Sequence, residues 1–378
     1  MDITRKDFLA GAFSMAALSG CRSARNAGAG GYEVAVLGDT HFDAEPESVY
    51  HSHYDESNRW AKVQHEEFRR NGEMWRGRCR ELLAASAKLA GERPTDFVLQ
   101  LGDVIQGDCD DVPTHKRMLD DCIRMLRAPY PKGLPFLTVV GNHDVRGRGA
   151  RAAYFEFAEA FLARELGQPV RYPAFSFLRG GDLWVFCDFE TKDLSPVIAA
   201  IESRPDVRYT FLVTHGPFTA SEDGFPAWRL GGSPACDVHR TKLYELLSRR
   251  HAIVLSGHTH RTAWFRHENA FGGFTEFTAN SVWKAPELAT DAPLCEGVDD
   301  YGKWAQANLK GRRLDEFRCG AETFRAGLRD YYMTSGAGHY RLSVSDARVE
   351  MAFYPGATMR AARVFCLCSR ALNAAKRY

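Results

Sequence analysis

The stretch "VLSGHTHRT" at residues 254–262 combines an apolar run, a glycine and two histidines separated by one threonine. His258 and His260 are therefore either ligands of a metal ion or polar residues at the point where a strand meets solvent. Because side chains two positions apart on an extended segment point the same way, both imidazoles can face one site. The choice between these interpretations depends on whether the rest of the chain supplies partners.

Five other short apolar runs occur along the chain, and most of them end at a glycine or a polar residue. Their β-branched and aromatic residues are typical of strands that are buried on both faces. These five runs lie at 33–41, 96–103, 135–144, 182–190 and 209–216. With the run at 251–260, which contains both histidines of the opening stretch, the chain has six. Apolar residues at helical spacing mark segments between several of these runs, at 77–92, 115–126, 150–167 and 239–250. Strands that alternate with helices predict an α/β fold with a layered sheet.

The sequence after residue 262 has a different character. Antiparallel strands are predicted at 272–280 and at 339–356, where a hairpin turns near 345–347. The segment 284–335 is polar with few strand patterns, and we expect it to be an insertion or lid over the strand ends. The predicted organisation is an export segment and linker at 1–31, a main domain at 32–357 and a C-terminal tail at 358–378.

The N-terminus has the pattern of an export signal, with basic Arg5 and Lys6, an apolar stretch and small residues up to Cys21. "TRKDFL" resembles a twin-arginine motif in which Lys6 replaces the second arginine, so the export route stays open between Tat and Sec. "LSGC" resembles a bacterial lipobox, which would make Cys21 a lipidated first residue. An amphipathic helix of the mature protein is the alternative. We expect an exported bacterial protein of the periplasm or cell envelope, attached to the membrane only through this lipid anchor.

The overall composition excludes some functions without selecting one. The formal net charge is +1, so no global field favours an anionic membrane, and no specific nucleic-acid binding is expected. The hydrophobic content of 45% and the charged content of 26% are those of an ordinary globular protein. The ten cysteines include no CxxC pair, so a structural zinc knuckle is not expected. The oligomeric state stays open.

Five of the six apolar runs end in side chains that can bind metals. They are Asp39 and His41 in "GDTH", Asp103 in "GDVIQ", Asn142 and His143 in "GNHD", His215 in "THG", and His258 and His260 in "GHTH". Strand ends in α/β sheets converge on one edge, so these side chains are expected to meet there. Two ions about 3.5–4 Å apart can clamp both reacting oxygens of an in-line displacement. Asp103 is the natural candidate for the anionic bridge between them.

This ordered set of motifs resembles the calcineurin-like metallophosphoesterase superfamily over roughly 33–280. The resemblance implies a four-layer αββα sandwich with a dinuclear metal site at the C-termini of the strands, so 32–357 would be a metallophosphoesterase domain. It implies that the first ion is held by Asp39, His41, Asp103 and His260. It implies that the second ion is held by Asp103, Asn142, His215 and His258. The cofactors would be two divalent or trivalent ions of Fe, Mn or Zn, their identity left open.

The resemblance also implies the reaction, in which a metal-bridging hydroxide attacks the phosphorus of a small phosphoester. His143 would stabilise the transition state or protonate the leaving oxygen, and Asp144 would orient His143. The "DxH" form of the first motif differs from the purple acid phosphatase pattern, and "GDVIQ" lacks the tyrosine of that branch. These two differences favour a phosphodiesterase. A phosphomonoesterase or nucleotidase of the same fold, and a non-catalytic surface binding protein, are the alternatives.

Substrate contacts are expected from loops around the strand ends. The polar loop 42–70 offers His51, His53, Tyr54 and Arg59, and a solvated insertion loop is the alternative interpretation. Arg146 and Arg148 follow "GNHD" directly, and arginine recognises phosphate bidentately. Asn280, or Trp283, is a further candidate for the pocket lining.

Overall fold

The computed structural model describes residues 31–43, 47–51, 61–191, 193–219, 222, 230, 237–282 and 290–369. The predicted export segment with Cys21 lies outside these residues, as do His53, Tyr54, Arg59 and Trp283. Among the described residues, no helix combines the length and the apolar character needed to cross a membrane.

The described elements alternate between strands and helices in the first two thirds of the chain. The strands are β1 (Tyr32–Leu37), β2 (Phe97–Gln100), β3 (Phe136–Thr138), β4 (Ala174–Arg179), β5 (Asp182–Cys187), β6 (Thr210–Thr214), β7 (Ile253–Ser256), β8 (Thr262–Asn269), β9 (Gly272–Thr278), β10 (Cys295–Glu296), β11 (Leu328–Thr334), β12 (Gly338–Val344), β13 (Arg348–Pro355) and β14 (Arg363–Ser369). The helices are α1 (Glu47–Tyr50), α2 (Ala61–Met74), α3 (Arg80–Glu92), α4 (Val112–Arg127), α5 (Ala150–Leu166), α6 (Ser195–Glu202), α7 (Asp237–Arg249), α8 (Lys303–Asn308) and α9 (Arg312–Arg325). A π-helical segment, Trp75–Cys79, joins α2 to α3.

The strands form two sheets. One has the order β14-β13-β12-β1-β2-β3, and the other has the order β10-β11-β8-β9-β7-β6-β5-β4. Strands β1, β2 and β3 are parallel in the first sheet, and β5, β6, β7 and β9 are parallel in the second. The strands that extend each sheet beyond these parallel centres pair antiparallel.

Alternating side chains explain why the strands of the second sheet are buried on both faces. In β5, Trp184 and Phe186 belong to the core between the sheets, whereas Leu183 and Val185 pack with residues of the outer helices. The Trp184 ring lies 5.1 Å from Phe97 of the facing sheet, centroid to centroid. Helices α6 and α7 cover the outside of this sheet, and α3, α4 and α5 pack on the other. The predicted four-layer αββα sandwich is confirmed.

All six apolar runs contain the strands that the sequence predicts, and the hairpin of β12 and β13 turns between Val344 and Arg348 as expected. Two predicted boundaries need correction. Leu328–Thr334, inside the predicted insertion, is a strand of the second sheet. Its charged residues Arg329 and Asp330 interrupt the apolar pattern, so the sequence did not indicate a strand there. Arg363–Ser369, inside the supposed tail, is the edge strand of the first sheet and pairs with β13.

Candidate metal centre

The parallel strands carry the predicted ligands to one place. Asp39 and His41 follow β1, Asp103 follows β2, Asn142 follows β3, His215 follows β6, and His258 and His260 follow β7. Both sheets therefore contribute through the carboxyl ends of their parallel strands, which is where α/β sheets build their sites.

The backbone at this edge is bent in a way that most residues avoid. His41, Asp103, His258 and His260 have φ values of 40°, 51°, 71° and 51°, in the left-handed region. This conformation costs about 1–2 kcal/mol for each non-glycine residue, so the surrounding structure must hold it in place. Residues in such strained conformations cluster at functional sites.

Three side chains form a first group. Nε2 of His260 lies 3.0 Å from Oδ2 of Asp39 and 3.1 Å from Nε2 of His41. Nε2 of His41 lies 3.7 Å from the same Asp39 oxygen. Ligand atoms that share one ion at about 2.0–2.2 Å are roughly 3–3.5 Å apart at the usual coordination angles. Two of the three separations fall in this range and the His41–Asp39 pair is slightly wider, so the group is close to the spacing of a coordination shell.

A second group shares Asp103 with the first. Oδ2 of Asp103 lies 3.1 Å from Nε2 of His215 and 3.6 Å from Nε2 of His41. Nδ1 of His258 is 3.1 Å from Nε2 of His215. One carboxylate oxygen therefore faces both groups of imidazoles. Oδ1 of the neighbouring Asn142 is buried, and no hydrogen-bond donor reaches it within the described part of the chain, which fits a metal ligand.

The charges of the buried groups are strongly coupled. Burial would raise the pKa of Asp39, yet His215 and His260 hold it well below its usual range. For Asp103 as well, burial would raise the pKa, but the charge of His215 lowers it, and the pKa lies below its usual range. Burial alone would lower the pKa of His215, but the carboxylates of Asp103 and Asp39 raise it to about 9. Two ionised carboxylates deep in the fold require nearby positive charge, which a bound cation supplies.

The imidazoles are oriented by their second nitrogen atoms. Nδ1 of His215 lies 2.7 Å from the backbone oxygen of Leu101, and Nδ1 of His41 lies 3.1 Å from Oε1 of Gln106. Metal-binding histidines usually hold their other ring N–H in this way, which fixes the tautomer. The donor set, its spacing and its orientation fit a divalent metal site.

The sequence profile of the calcineurin-like phosphoesterase family matches residues 32–262. This chain belongs to that family. It is a metal-dependent phosphoester hydrolase, and the clusters of Asp and His residues provide its divalent metal site.

Solved structures with a similar fold include PhoD and two phosphatases. PhoD has a TM-score of 0.49 and 10% identity, and the match covers 89% of this chain and 68% of that one. The purple acid phosphatase of yellow lupin (Lupinus luteus) has a TM-score of 0.48 and 9% identity over 90% of this chain and 54% of its own. A dimetal phosphatase from Danio rerio has a TM-score of 0.47 and 11% identity over 89% and 99%. Comparison with curated proteins gave no match.

In this phosphoesterase, His143 is held on three sides. Its Nδ1 donates to the backbone oxygen of Gln106 at 2.8 Å, its Nε2 lies 3.2 Å from Nη1 of Arg146, and its backbone N–H donates to Oδ1 of Asp103 at 2.7 Å. Burial lowers the pKa of His143 well below its ordinary value, and His41 and Arg146 lower it further against the influence of Asp103. The ring is therefore neutral at neutral pH, with its proton on Nδ1.

The structure corrects the role expected for Asp144. Its Oδ2 accepts from the backbone N–H of Gly141 at 2.8 Å, and its Oδ1 accepts from that of Ile105 at 3.1 Å. Asp144 thus fastens the turn of the "GNHD" motif to the loop after β2, whereas the Gln106 carbonyl orients the His143 ring. Burial, together with Asp103, raises the pKa of Asp144 to about 7.

Two of the proposed substrate contacts are instead internal. His51 is 1% exposed, stacks on Phe68 with 3.8 Å between ring centroids, and directs its ring nitrogens at Asp43 and at the backbone of Asp108. Asn280 is fully buried and donates from Nδ2 to two backbone oxygens in the loop between β11 and β12. Their polar atoms are engaged inside the fold, so neither prediction holds.

The two arginines after "GNHD" differ in their surroundings. Arg148 is exposed. Arg146 instead forms an ion pair from Nε to Oδ2 of Asp108 at 2.5 Å, and its Nη2 donates to Oε1 of Gln64 at 3.1 Å. With the Nη1 contact to His143, the guanidinium is fixed beside the metal centre. Of these two predicted phosphate contacts, the structure brings Arg146 to the site.

Several supporting residues were missed by sequence reasoning. Asp108 and Gln64 carry no motif that would have marked them as partners of Arg146. Glu276 of β9 accepts from the backbone N–H groups of Phe218 and Thr219 at 2.7 and 2.8 Å, and so fixes the loop that follows His215. Burial raises the pKa of Glu276 to about 7. The sequence signal that could have identified Glu276 is its position as the single acidic residue in the strand pattern "GGFTEFTAN".

Proposed function

We propose that this protein is an exported phosphodiesterase that works with two metal ions. The observation that carries the proposal is the position of Asp103, whose Oδ2 lies 3.1 Å from Nε2 of His215 and 3.6 Å from Nε2 of His41. A carboxylate between two sets of imidazoles is the anionic bridge that a pair of adjacent cations requires.

The ligands divide between the two ions by proximity. Asp39, His41, Asp103 and His260 would hold the first ion, and Asp103, Asn142, His215 and His258 would hold the second. When bound, such ions neutralise charge on the phosphoryl oxygens and lower the pKa of water to near neutrality. Imidazole, carboxylate and amide donors together suit Zn, Fe or Mn.

The remaining polar residues position the phosphate. The Arg146 guanidinium, fixed by Asp108 and Gln64, offers N–H donors to a phosphoryl oxygen beside the metal centre. His143 holds Nη1 of Arg146 through its unprotonated Nε2. Because the His143 ring is neutral, this arrangement supports stabilisation of the transition state over proton donation to the leaving oxygen.

Two sequence features support the diester class. The first motif pairs Asp39 with His41, where purple acid phosphatases have glycine in place of the histidine, and "GDVIQ" contains no tyrosine. Monoester hydrolysis is a second candidate, and Arg146 is the observation that favours it. A monoester carries a third charged oxygen, which a guanidinium beside two metal ions would bind.

The test is a comparison of two model substrates on metal-defined protein. The purified chain is stripped of metal, reloaded with Mn, Fe or Zn, and assayed with bis(4-nitrophenyl) phosphate and 4-nitrophenyl phosphate. We expect two ions per chain and a higher kcat/KM on the diester. A higher kcat/KM on the monoester would refute the phosphodiesterase proposal and support monoester hydrolysis. An absence of turnover on both, with two ions bound, would favour the binding-protein alternative.

Export is tested separately in a bacterial host. We expect the chain expressed with its N-terminal segment to be found in the membrane fraction, cleaved before Cys21 and acylated on that cysteine, whereas Cys21→Ser should carry no acyl group. A full-length chain that stays in the cytoplasm without acylation would refute both export and anchoring.

A further inference from the structure

Gln106 contacts two histidines of the site with two different oxygen atoms. Its side chain is fully buried in the loop after β2. The side-chain Oε1 lies 3.1 Å from Nδ1 of His41, and the backbone oxygen lies 2.8 Å from Nδ1 of His143. One residue therefore faces a predicted metal ligand and the residue beside the phosphate.

The orientation of the Gln106 amide is set by Asn71 of α2. Nδ2 of Asn71, which is also fully buried, donates to Oε1 of Gln106 at 2.7 Å. If the Gln106 amide were reversed, its NH₂ group would face the NH₂ group of Asn71, and two donors would meet. With Asn71 donating from Nδ2, the oxygen of Gln106 is directed at His41.

Carbonyl oxygens only accept hydrogen bonds, so each Nδ1 that contacts Gln106 carries the proton. Nε2 then bears the lone pair in both rings. In His41, Nε2 is the atom that faces Asp39, Asp103 and His260. An imidazole nitrogen binds a metal only through a lone pair, so this tautomer leaves Nε2 of His41 able to bind one. For His143 it is the atom that accepts from Arg146.

We propose that Gln106 is a positioning residue that sets the tautomers of His41 and His143 together, through its side-chain and backbone oxygens respectively. The inference rests on the proposed metal centre for its effect on metal affinity. Its effect on the tautomers does not depend on a bound metal. A neutral amide holds the His41 proton without the stronger attraction of a carboxylate, so the side chain at position 106 tunes how strongly His41 donates to its ion.

The two contacts can be separated because only one of them is a side-chain contact. Gln106→Met removes the acceptor for His41 at similar volume, whereas the backbone oxygen that holds His143 remains. Gln106→Glu restores an acceptor. Tyr130→Phe is the matched control, because it removes a buried hydrogen bond, from Tyr130 to Ser86 at 2.8 Å, that contacts no predicted ligand.

Metal affinity is the first measurement, made with Zn²⁺ and a competing chelator on metal-free protein. We expect Gln106→Met to weaken one of the two sites about 10- to 100-fold. Gln106→Glu should bind at least as tightly as wild type, and Tyr130→Phe should lower thermal stability without changing affinity. Unchanged affinity in Gln106→Met, or equal losses in the Met and Glu variants, would overturn the proposal.

Ring tautomers are the second measurement, made by ¹⁵N NMR of histidine-labelled, metal-free protein. The wild type should show Nδ1–H tautomers for His41 and His143, and Gln106→Met should lose only that of His41. An Nε2–H tautomer for either ring in the wild type would refute the inference. A chain that binds no metal yet shows the expected tautomers would refute the proposed function and leave this inference standing.

Discussion

Nη1 of Arg146 lies 3.2 Å from Nε2 of His143, and the guanidinium is the donor of this pair because Nδ1 of His143 already donates to a backbone oxygen. The positive charge at this end of the site therefore belongs to Arg146, whereas the imidazole is neutral. Asp108 holds the guanidinium from the opposite side, so Arg146 reaches the site already oriented.

Arg146→Met should lower kcat/KM about 10- to 100-fold, because a charge-assisted hydrogen bond to the phosphate is lost. Asp108→Asn should lower it about 2- to 10-fold, chiefly through KM, since the guanidinium remains but is less well fixed. Steady-state kinetics on the preferred ester measures both. Arg148→Met, at an exposed position, is the control and should match the wild type. An Arg146→Met enzyme with wild-type kcat/KM would remove Arg146 from the phosphate site.

His143→Ala should retain both metal ions and lose about 10²-fold or more in kcat, because the predicted ligands stay while the group beside the phosphate is removed. Metal content and turnover are measured on the same sample. Wild-type turnover with full metal occupancy would contradict the role assigned to His143.

Gly257→Ala should weaken metal binding by displacing Asp39. A Cβ atom at Gly257 would lie 2.4 Å from Oδ1 of Asp39, which is closer than real contacts allow, so the carboxylate must move. Titration of the metal-free protein with Zn²⁺ measures the change in affinity. Gly91→Ala is the matched control, since a Cβ there meets nothing within 4 Å inside α3, and it should stabilise the fold by about 0.5–1 kcal/mol. Equal affinities for the two variants would show that the Asp39 carboxylate is not confined by Gly257.

His267 should make the fold sensitive to acid. Its ring is 1% exposed and stacks on Phe274, and burial lowers its pKa to about 3 with a smaller contribution from Arg329. The folded state therefore binds fewer protons than the unfolded state, so this contribution to stability is complete above pH 6.5. It is lost as pH falls from about 6.5 towards 3, by about 1.4 kcal/mol for each pH unit.

Denaturant unfolding at pH 7.5 and pH 5.5 tests this for His267→Phe. The free energy of unfolding of the variant relative to wild type should rise by about 1.4 kcal/mol at the lower pH. Only this change with pH is diagnostic, because any packing effect of phenylalanine is present at both values. A difference that does not change with pH would mean that His267 is protonated in the folded state.

The sequence by itself determined the strands and the candidate ligands that follow them. A buried run ending in "GDTH" or "GHTH" is a local pattern, and parallel strands bring their carboxyl ends to one edge whatever the loops do. The partners of the polar side chains in and around the loops could be identified only from the tertiary structure. Gln64 reaches Arg146 across 82 positions, and Asn71 reaches Gln106 across 35, without any local signal.

Tertiary structure also reassigned residues whose type had suggested a different role. His51 and Asn280 resemble substrate contacts in the sequence, but burial requires their polar atoms to be satisfied inside the fold. Asp144 follows His143 directly, yet adjacent side chains diverge, and its carboxylate is engaged by the backbone N–H groups of Gly141 and Ile105. Residue type and strand pattern are enough to place a metal ligand at a strand end. The partner of a loop side chain depends on which distant segment packs against it, and that is fixed only when the two sheets and their helices come together.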